Sequence, residues 1–229
     1  GTWKMMPLGF VASFILWLNF RNIDIKPKHR EQAEGNYWAI FKRYLPAFIL
    51  TGGFTFFQAG VKASLTYYLP TFLTDSEGHT LVFADLSLTI LQLAGAAGAL
   101  FAGTISDRLG RTKTLLIISL ATPLLMLLFL NMEGAWIIPV LIPLGFFLFA
   151  PTAVMMALIQ DLHTEKKAFV NSIYMFINFF ISSLVIPMVG VITDHYGFRT
   201  SYIAFNILAF GAIAVVLYSR NRIPQLSGK

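Results

Sequence analysis

Seven runs of mostly apolar residues divide this sequence, at about residues 3–20, 45–69, 84–105, 114–131, 136–158, 168–191 and 200–219. A helix of roughly 20 such residues crosses the hydrocarbon core of a bilayer. Inside that core every backbone polar group needs an internal partner, which leaves the helix as the open choice for such a run. Hydrophobic residues make up 56% of the chain and charged residues 12%. A soluble domain carries about 25% charged residues, so this chain lacks the polar cover that seven apolar runs would need in water. The expected fold class is all-α, a polytopic membrane helix bundle of about seven transmembrane helices. The first run follows Lys4 as a signal peptide would, but Arg21 ends it with no small-residue cleavage motif; it is read as a span.

The charges between the runs set an orientation. Fourteen of the 17 Lys and Arg residues fall in alternate connections: segment 21–44 (Arg21, Lys26, Lys28, Arg30, Lys42, Arg43), segment 106–113 (Arg108, Arg111, Lys113), segment 159–167 (Lys166, Lys167) and the tail (Arg220, Arg222, Lys229). The opposite side has Lys4 and Arg199 beside Asp75, Glu77, Asp85, Glu133 and Asp194. Basic connections stay cytoplasmic, so the N-terminus is expected outside and the C-terminus cytoplasmic. Segment 30–44 is amphipathic enough for a short surface helix; an ordinary solvated linker is the alternative.

Several chemistries find no support. There is no Cys, hence no disulfide, thiolate ligand or cysteine nucleophile. His29, His79, His163 and His195 are isolated from other ligand types, so no metal site is expected. No phosphate-cradling loop or nucleophile–base pair stands out. An enzyme is not expected, nor a cofactor. The net charge of +6 sits beside the apolar runs, which suits anionic lipid headgroups and not nucleic acid.

Two stretches repeat one another. Gly103-Thr-Ile-Ser-Asp107-Arg-Leu-Gly110 and Gly190-Val-Ile-Thr-Asp194-His-Tyr-Gly197 each close an apolar run, and they lie 87 residues apart. That offset is three spans, an odd number, so the second copy is upside down in the membrane. This is the signature of an inverted three-helix repeat. Gly103 and Gly190 are expected to admit a close neighbouring helix. Asp107 and Asp194 can accept hydrogen bonds from a neighbouring helix N-terminus. Gly110 and Gly197 suit a tight turn.

The first copy, with the residues after it, reads GTISDRLGRTK and resembles the signature loop of the major facilitator superfamily, G-x-x-x-D-R-x-G-R-[KR]. It matches at Gly103, Asp107, Arg108, Gly110 and Arg111; it departs at Thr112, with the basic residue Lys113 one place later. The run YLPTFLT…LSLTILQLAGAAGALFAGTISDRLGR is also similar to the fosmidomycin-resistance-like branch of drug exporters. The resemblance implies a secondary active transporter that moves a small solute by alternating access. It also implies proton coupling, drug efflux by an antiporter, and a bacterial inner membrane. It makes the seven spans the sixth to twelfth of a C-terminal half. Residues 1–20 are then the last helix of a missing N-terminal half, 21–44 the central cytoplasmic linker and 45–229 a six-helix transport domain. The expected partners are a small-molecule substrate, the lipid bilayer and that N-terminal half. The conformational motif is expected at Gly103, Asp107, Arg108, Gly110, Arg111 and Lys113. A seven-helix receptor or a non-transporting membrane scaffold is the alternative.

The second run carries the polar residues Thr51, Thr55, Gln58, Lys62 and Thr66, spaced to share one helix face. A Lys deep in a span costs about 2.5–3.5 kcal/mol by insertion measures and persists where it meets a wet cavity or a partner. By the resemblance this helix is the seventh, which lines the central cavity. Lys62 then meets an anionic group or a carboxylate; otherwise it snorkels to the outer surface. The sixth run adds Asn171, Tyr174, Asn178 and Ser182, facing either the cavity or a neighbouring helix. The expected substrate-binding residues are Lys62, Gln58, Thr55, Thr51, Asn178 and Tyr174. Asp85 is either a partner for Lys62 or an N-terminal cap. Gly95 and Gly98 suit close helix packing, and Pro139, Pro143 and Pro151 suit a bent fifth span.

Overall fold

The computed structural model describes residues 6–20, 37–162, 164 and 166–220. The basic residues of segment 21–36 and of the tail 221–229, with His163 and residues 30–36 of the expected surface helix, lie outside them. The chain divides into two units, residues 1–37 and 38–229. The first holds helix α1, Met6–Phe20, whose apolar composition follows from the first run.

The second unit is a bundle of long helices. The order is α2 (Tyr37–Tyr67), a short turn α3 (Leu69–Thr71) continued by a wide helical turn at Phe72–Ser76, α4 (Leu81–Leu109), α5 (Arg111–Leu130), α6 (Ile137–Gln160), α7 (Lys167–Tyr196), α8 (Phe198–Ala209) and α9 (Gly211–Arg220). Six helical segments among the described residues are long and apolar enough to cross a membrane, with α8 and α9 together making the last. No strand occurs among them. The outward surface is apolar, with Leu93 67%, Leu100 74% and Ile207 66% exposed. Water would not tolerate so broad an apolar cover, and lipid does. The fold is thus the all-α polytopic bundle that the apolar runs predict.

Several helices overrun the expected spans: α4 and α7 at both ends, α2 at its start. Residues 37–44 of the basic segment already belong to α2, which passes through Pro46 without interruption. Likewise α4 continues through the motif as far as Leu109. Polar residues thus extend the helices beyond the apolar length, a feature hydropathy alone does not mark.

Only Gly110 separates α4 from α5, and only Gly197 separates α7 from α8. The two glycines share one conformation, φ 92° with ψ 139° and φ 82° with ψ 161°. Each amide donates to the carbonyl four residues back, at Ser106 and Thr193, and each carbonyl accepts four residues ahead, at Thr114 and Ser201. The tight-turn expectation holds at both copies, and the repeat is geometric as well as textual. A side chain at such a φ is strained. Gly110→Ala and Gly197→Ala are each expected to destabilise the bundle by about 1–2 kcal/mol, read as a lowered melting temperature in detergent.

The closest helix pair is α4 with α6. A Cβ at Gly98 would stand 2.9 Å from the Phe146 carbonyl carbon, and one at Gly145 would stand 3.2 Å from that of Leu91. Small residues here set two backbones in contact, as membrane helices prefer. The matching expectation at Gly103 fails: a Cβ there meets no described atom within 4 Å. Its role is instead its carbonyl, as shown below. At Gly190 the neighbour is a side-chain tip and not a helix backbone, since a Cβ would meet the Tyr68 hydroxyl at 2.7 Å.

Buried polar links tie the remaining helices. Tyr202 donates to the Ser64 carbonyl at 2.8 Å, Asn206 to the Pro123 carbonyl at 3.1 Å and Arg199 to the Leu130 carbonyl at 3.3 Å. Arg199 therefore sits level with the C-terminal end of α5, as the alternation of connections requires. Thr80, not Asp85, caps α4, with its hydroxyl accepting from the Phe83 amide at 3.3 Å. Asp85 is exposed one turn further along and forms no ion pair with Lys62 among the described residues. Neither alternative for Asp85 is met, because the helix starts three residues earlier than its apolar run.

Candidate functional site

Helices α2, α6 and α7 line a partly open cavity of about 410 Å³. The α2 wall is built from Thr55, Gln58, Lys62 and Thr66, which fall on one face because their spacing follows the helical turn. The α7 wall supplies Tyr174, Asn178, Ser182 and Phe179, and α6 supplies Leu148, Pro151, Thr152 and Met155. Pro151 and Phe179 give the α6 and α7 walls much of their apolar character. Of the six residues that the sequence nominates, five line this cavity. Thr51 does not: it is fully buried, one turn before Thr55, and its hydroxyl donates to the Phe48 carbonyl at 3.2 Å. Asn171 also lies outside the lining, its amide near the Met175 sulfur at 3.8 Å. Thr66 and Ser182, noted in the stripes, do line it.

The two polar walls meet at one point. The Thr55 hydroxyl donates to Asn178 Oδ1 at 2.9 Å, and Asn178 Nδ2 donates to the Tyr174 carbonyl at 3.0 Å. The Tyr174 hydroxyl reaches the Thr152 carbonyl on α6 at 3.5 Å. This chain of bonds spans all three helices and satisfies its own members. Higher on α2 the pattern reverses. Gln58 Nε2 and Thr66 Oγ1 are buried with no hydrogen-bond partner among the described residues. Lys62 lies one turn from each, half-buried, with its ammonium 4.9 Å from the centre of the Phe149 ring. A cation over an aromatic face is favourable by about 0.5–2 kcal/mol, which offsets only part of the cost of the charge. Among the described residues no acidic side chain lines the cavity and Lys62 has no carboxylate partner. Sequence alone did not find the α6 wall, because Leu148, Thr152 and Met155 carry no signal distinct from core residues.

The repeated motif forms a second cluster, at the α4–α5 turn. The Arg111 side chain is only 10% exposed and reaches Asp107 at 2.5 Å and Asp161 at 2.9 Å. It also donates to the Gly103 carbonyl at 3.2 Å and to the Ser106 hydroxyl. Asp107 is thus held by a guanidinium, and among the described residues no helix N-terminal amide donates to it, which corrects the expected partner. Asp161 follows the end of α6, so one side chain at the start of α5 joins the ends of α4 and α6. Asp161 was missed by the sequence reading, since an acid in a segment that also holds Glu165, Lys166 and Lys167 has no pattern that singles it out. Arg108 and Lys113 are exposed. Thr112, where the family pattern has a basic residue, is 7% exposed. A charge there would be buried, and its displacement to the exposed Lys113 has that physical reason.

A bundle of long apolar helices, with tight inverted turns and a polar cavity between helices, defines a polytopic membrane protein of the transport type. The sequence matches the Major Facilitator Superfamily over residues 3–187, and the chain belongs to that superfamily. It is a multi-pass membrane transporter, which sets aside the receptor and scaffold alternatives. No curated protein matches it.

Proposed function

We propose that this chain carries a small solute by alternating access, with the cavity between α2, α6 and α7 as its binding site. The observation that supports this is the polar content of two facing walls: Thr55, Gln58, Lys62 and Thr66 on α2 and Tyr174, Asn178 and Ser182 on α7 line one partly open, otherwise apolar cavity. Polar groups at membrane depth are costly unless they meet water, a partner or a ligand. The proposed binding residues are Lys62, Gln58, Thr55, Asn178 and Tyr174, with Thr51 supporting Thr55 from the preceding turn.

The Asp107–Arg111–Asp161 cluster, with Gly103 and Gly110, is proposed to hold the bundle in one of its two access states, and Arg108 and Lys113 to flank it. The resemblance to drug exporters supports proton-coupled efflux by antiport in a bacterial inner membrane. It also supports a layout in which these helices are the sixth to twelfth spans, with the central linker in 21–44, whose last eight residues already belong to α2, after an N-terminal half. The basic connections support a cytoplasmic C-terminus.

This chain has no cysteine, so a single cysteine placed in it reports access once any cysteine elsewhere in the full-length transporter has been replaced. In the full-length transporter in liposomes, Ser182→Cys is expected to react with a membrane-impermeant maleimide from one face. Transported solute is expected to slow that reaction and a proton gradient to change the face. Equal labelling from both faces, indifferent to every solute and to the gradient, would sink the proposal.

A further inference from the structure

The cavity divides into a satisfied part and an unsatisfied one, and the unsatisfied part is chemically one-sided. Thr55, Asn178 and Tyr174 close their bonds among themselves. What remains is a column on α2 at successive turns: the Gln58 amide nitrogen, the Lys62 ammonium and the Thr66 hydroxyl. An amide NH2 and an ammonium can only donate, and a hydroxyl can donate. A carboxylate or another oxyanion only accepts and also balances the Lys62 charge; a neutral alcohol accepts but brings no charge, and a protonated amine can only donate. The charge balance agrees, because Lys62 faces a lining that has no acidic side chain among the described residues. The rest of the lining is apolar, with Phe54, Leu148, Pro151, Met155, Phe179 and Ile186. At about 410 Å³ the space falls in the range of small-molecule sites, roughly 300–1,000 Å³.

We infer that the solute is an amphipathic organic anion, with its oxyanion group seated on Lys62, flanked one turn to either side by Gln58 and Thr66, and an apolar body against α6 and α7. This rests on the transport reading above and specifies it. The oxyanion chemistry is shared by a soluble acid and by an anionic lipid headgroup; the soluble acid is the assignment, since the space suits a small molecule.

The test uses the full-length transporter in neutral phosphatidylcholine liposomes with three labelled probes of one shape: 4-phenylbutyrate, its amide and the matching amine. Binding and flux are measured for the parent, Lys62→Met and Lys62→Arg. The carboxylate alone is expected to bind and move. Lys62→Met is expected to weaken its binding at least about tenfold, as loss of a charge-assisted bond does, and Lys62→Arg to retain it within about threefold. Gln58→Leu is expected to weaken it less while leaving the amide's behaviour unchanged. If the amide or amine moves and Lys62→Met is indifferent, the anion assignment is overturned and transport stands. If phosphatidylglycerol occupies the site and the soluble acid neither binds nor moves, the solute assignment is overturned in favour of a lipid. If none of the probes binds or moves, the cavity is no solute site and both readings fall.

Discussion

Gly98→Val is expected to abolish the folded bundle, seen as loss of the monodisperse peak on size exclusion in detergent. The new Cβ alone would stand 2.9 Å from the Phe146 carbonyl carbon and 3.0 Å from its Cα. These are backbone atoms of α6, and they cannot rotate aside as a side chain can. The helices must separate, and with them the packing that buries Leu91, Leu144 and Leu148. Overpacking a tight core costs about 1–3 kcal/mol, occasionally more, and a clash with rigid backbone belongs at the upper end. Gly98→Ala is expected to be milder yet still destabilising. Gly103→Ala is the informative control, because no described atom lies within 4 Å of its Cβ position. Exchange of Gly for Ala in a free helical position gains up to about 1 kcal/mol, so this variant is expected to melt no lower than the parent. Equal damage from both alanine variants would refute the packing account.

Arg111→Met is expected to leave a folded protein that transports at least about tenfold more slowly, since tenfold corresponds to about 1.4 kcal/mol of lost bias. The side chain is almost wholly buried, while its partners are not: the Asp107 and Asp161 side chains are 59% and 46% exposed. Once unpaired, those carboxylates are hydrated, so the stability loss is modest. What disappears is the link from the start of α5 to the ends of α4 and α6. A transport cycle depends on the relative weights of its access states, and a coupling of 1–3 kcal/mol shifts such weights about 5–150-fold. Asp161→Asn is expected to slow transport as well, with the Arg111→Met, Asp161→Asn pair far from additive because both remove one interaction. Arg108→Ala and Lys113→Ala are expected to change the rate by less than about threefold, as neither forms an ion pair among the described residues. The readout is initial flux in proteoliposomes, normalised to protein that elutes folded.

Much of the architecture was open to reading because membrane burial acts on whole runs of residues. Hydropathy located the spans, and the sorting of Lys and Arg gave an alternation that the contacts of Arg111 and Arg199 respect. The 3.6-residue period placed Thr55, Gln58 and Lys62 on one wall correctly. It failed at Thr51, since a stripe on a long helix drifts around the axis and leaves a cavity of finite height. Asp161 and the α6 wall were out of reach for another reason. Which distant residue closes a salt bridge, and which apolar residue faces a void, depends on the pairing of helices that no local pattern encodes. Gly103 and Gly98 look alike in sequence, and only the neighbouring chain distinguishes them.

The one-residue links at Gly110 and Gly197 leave no slack. Insertion of a single residue there would rotate the following helix by about 100° and turn its packed face outward. Length variation should therefore be tolerated elsewhere, as at the partly exposed connection 77–80 that follows the buried Phe72 and Leu73, and be lethal at these two points. An epitope or a protease site placed at either glycine would wreck the protein it was meant to map. The α4–α5 and α7–α8 pairs are two hairpins joined with no spare residue, so the register of one helix fixes that of the next.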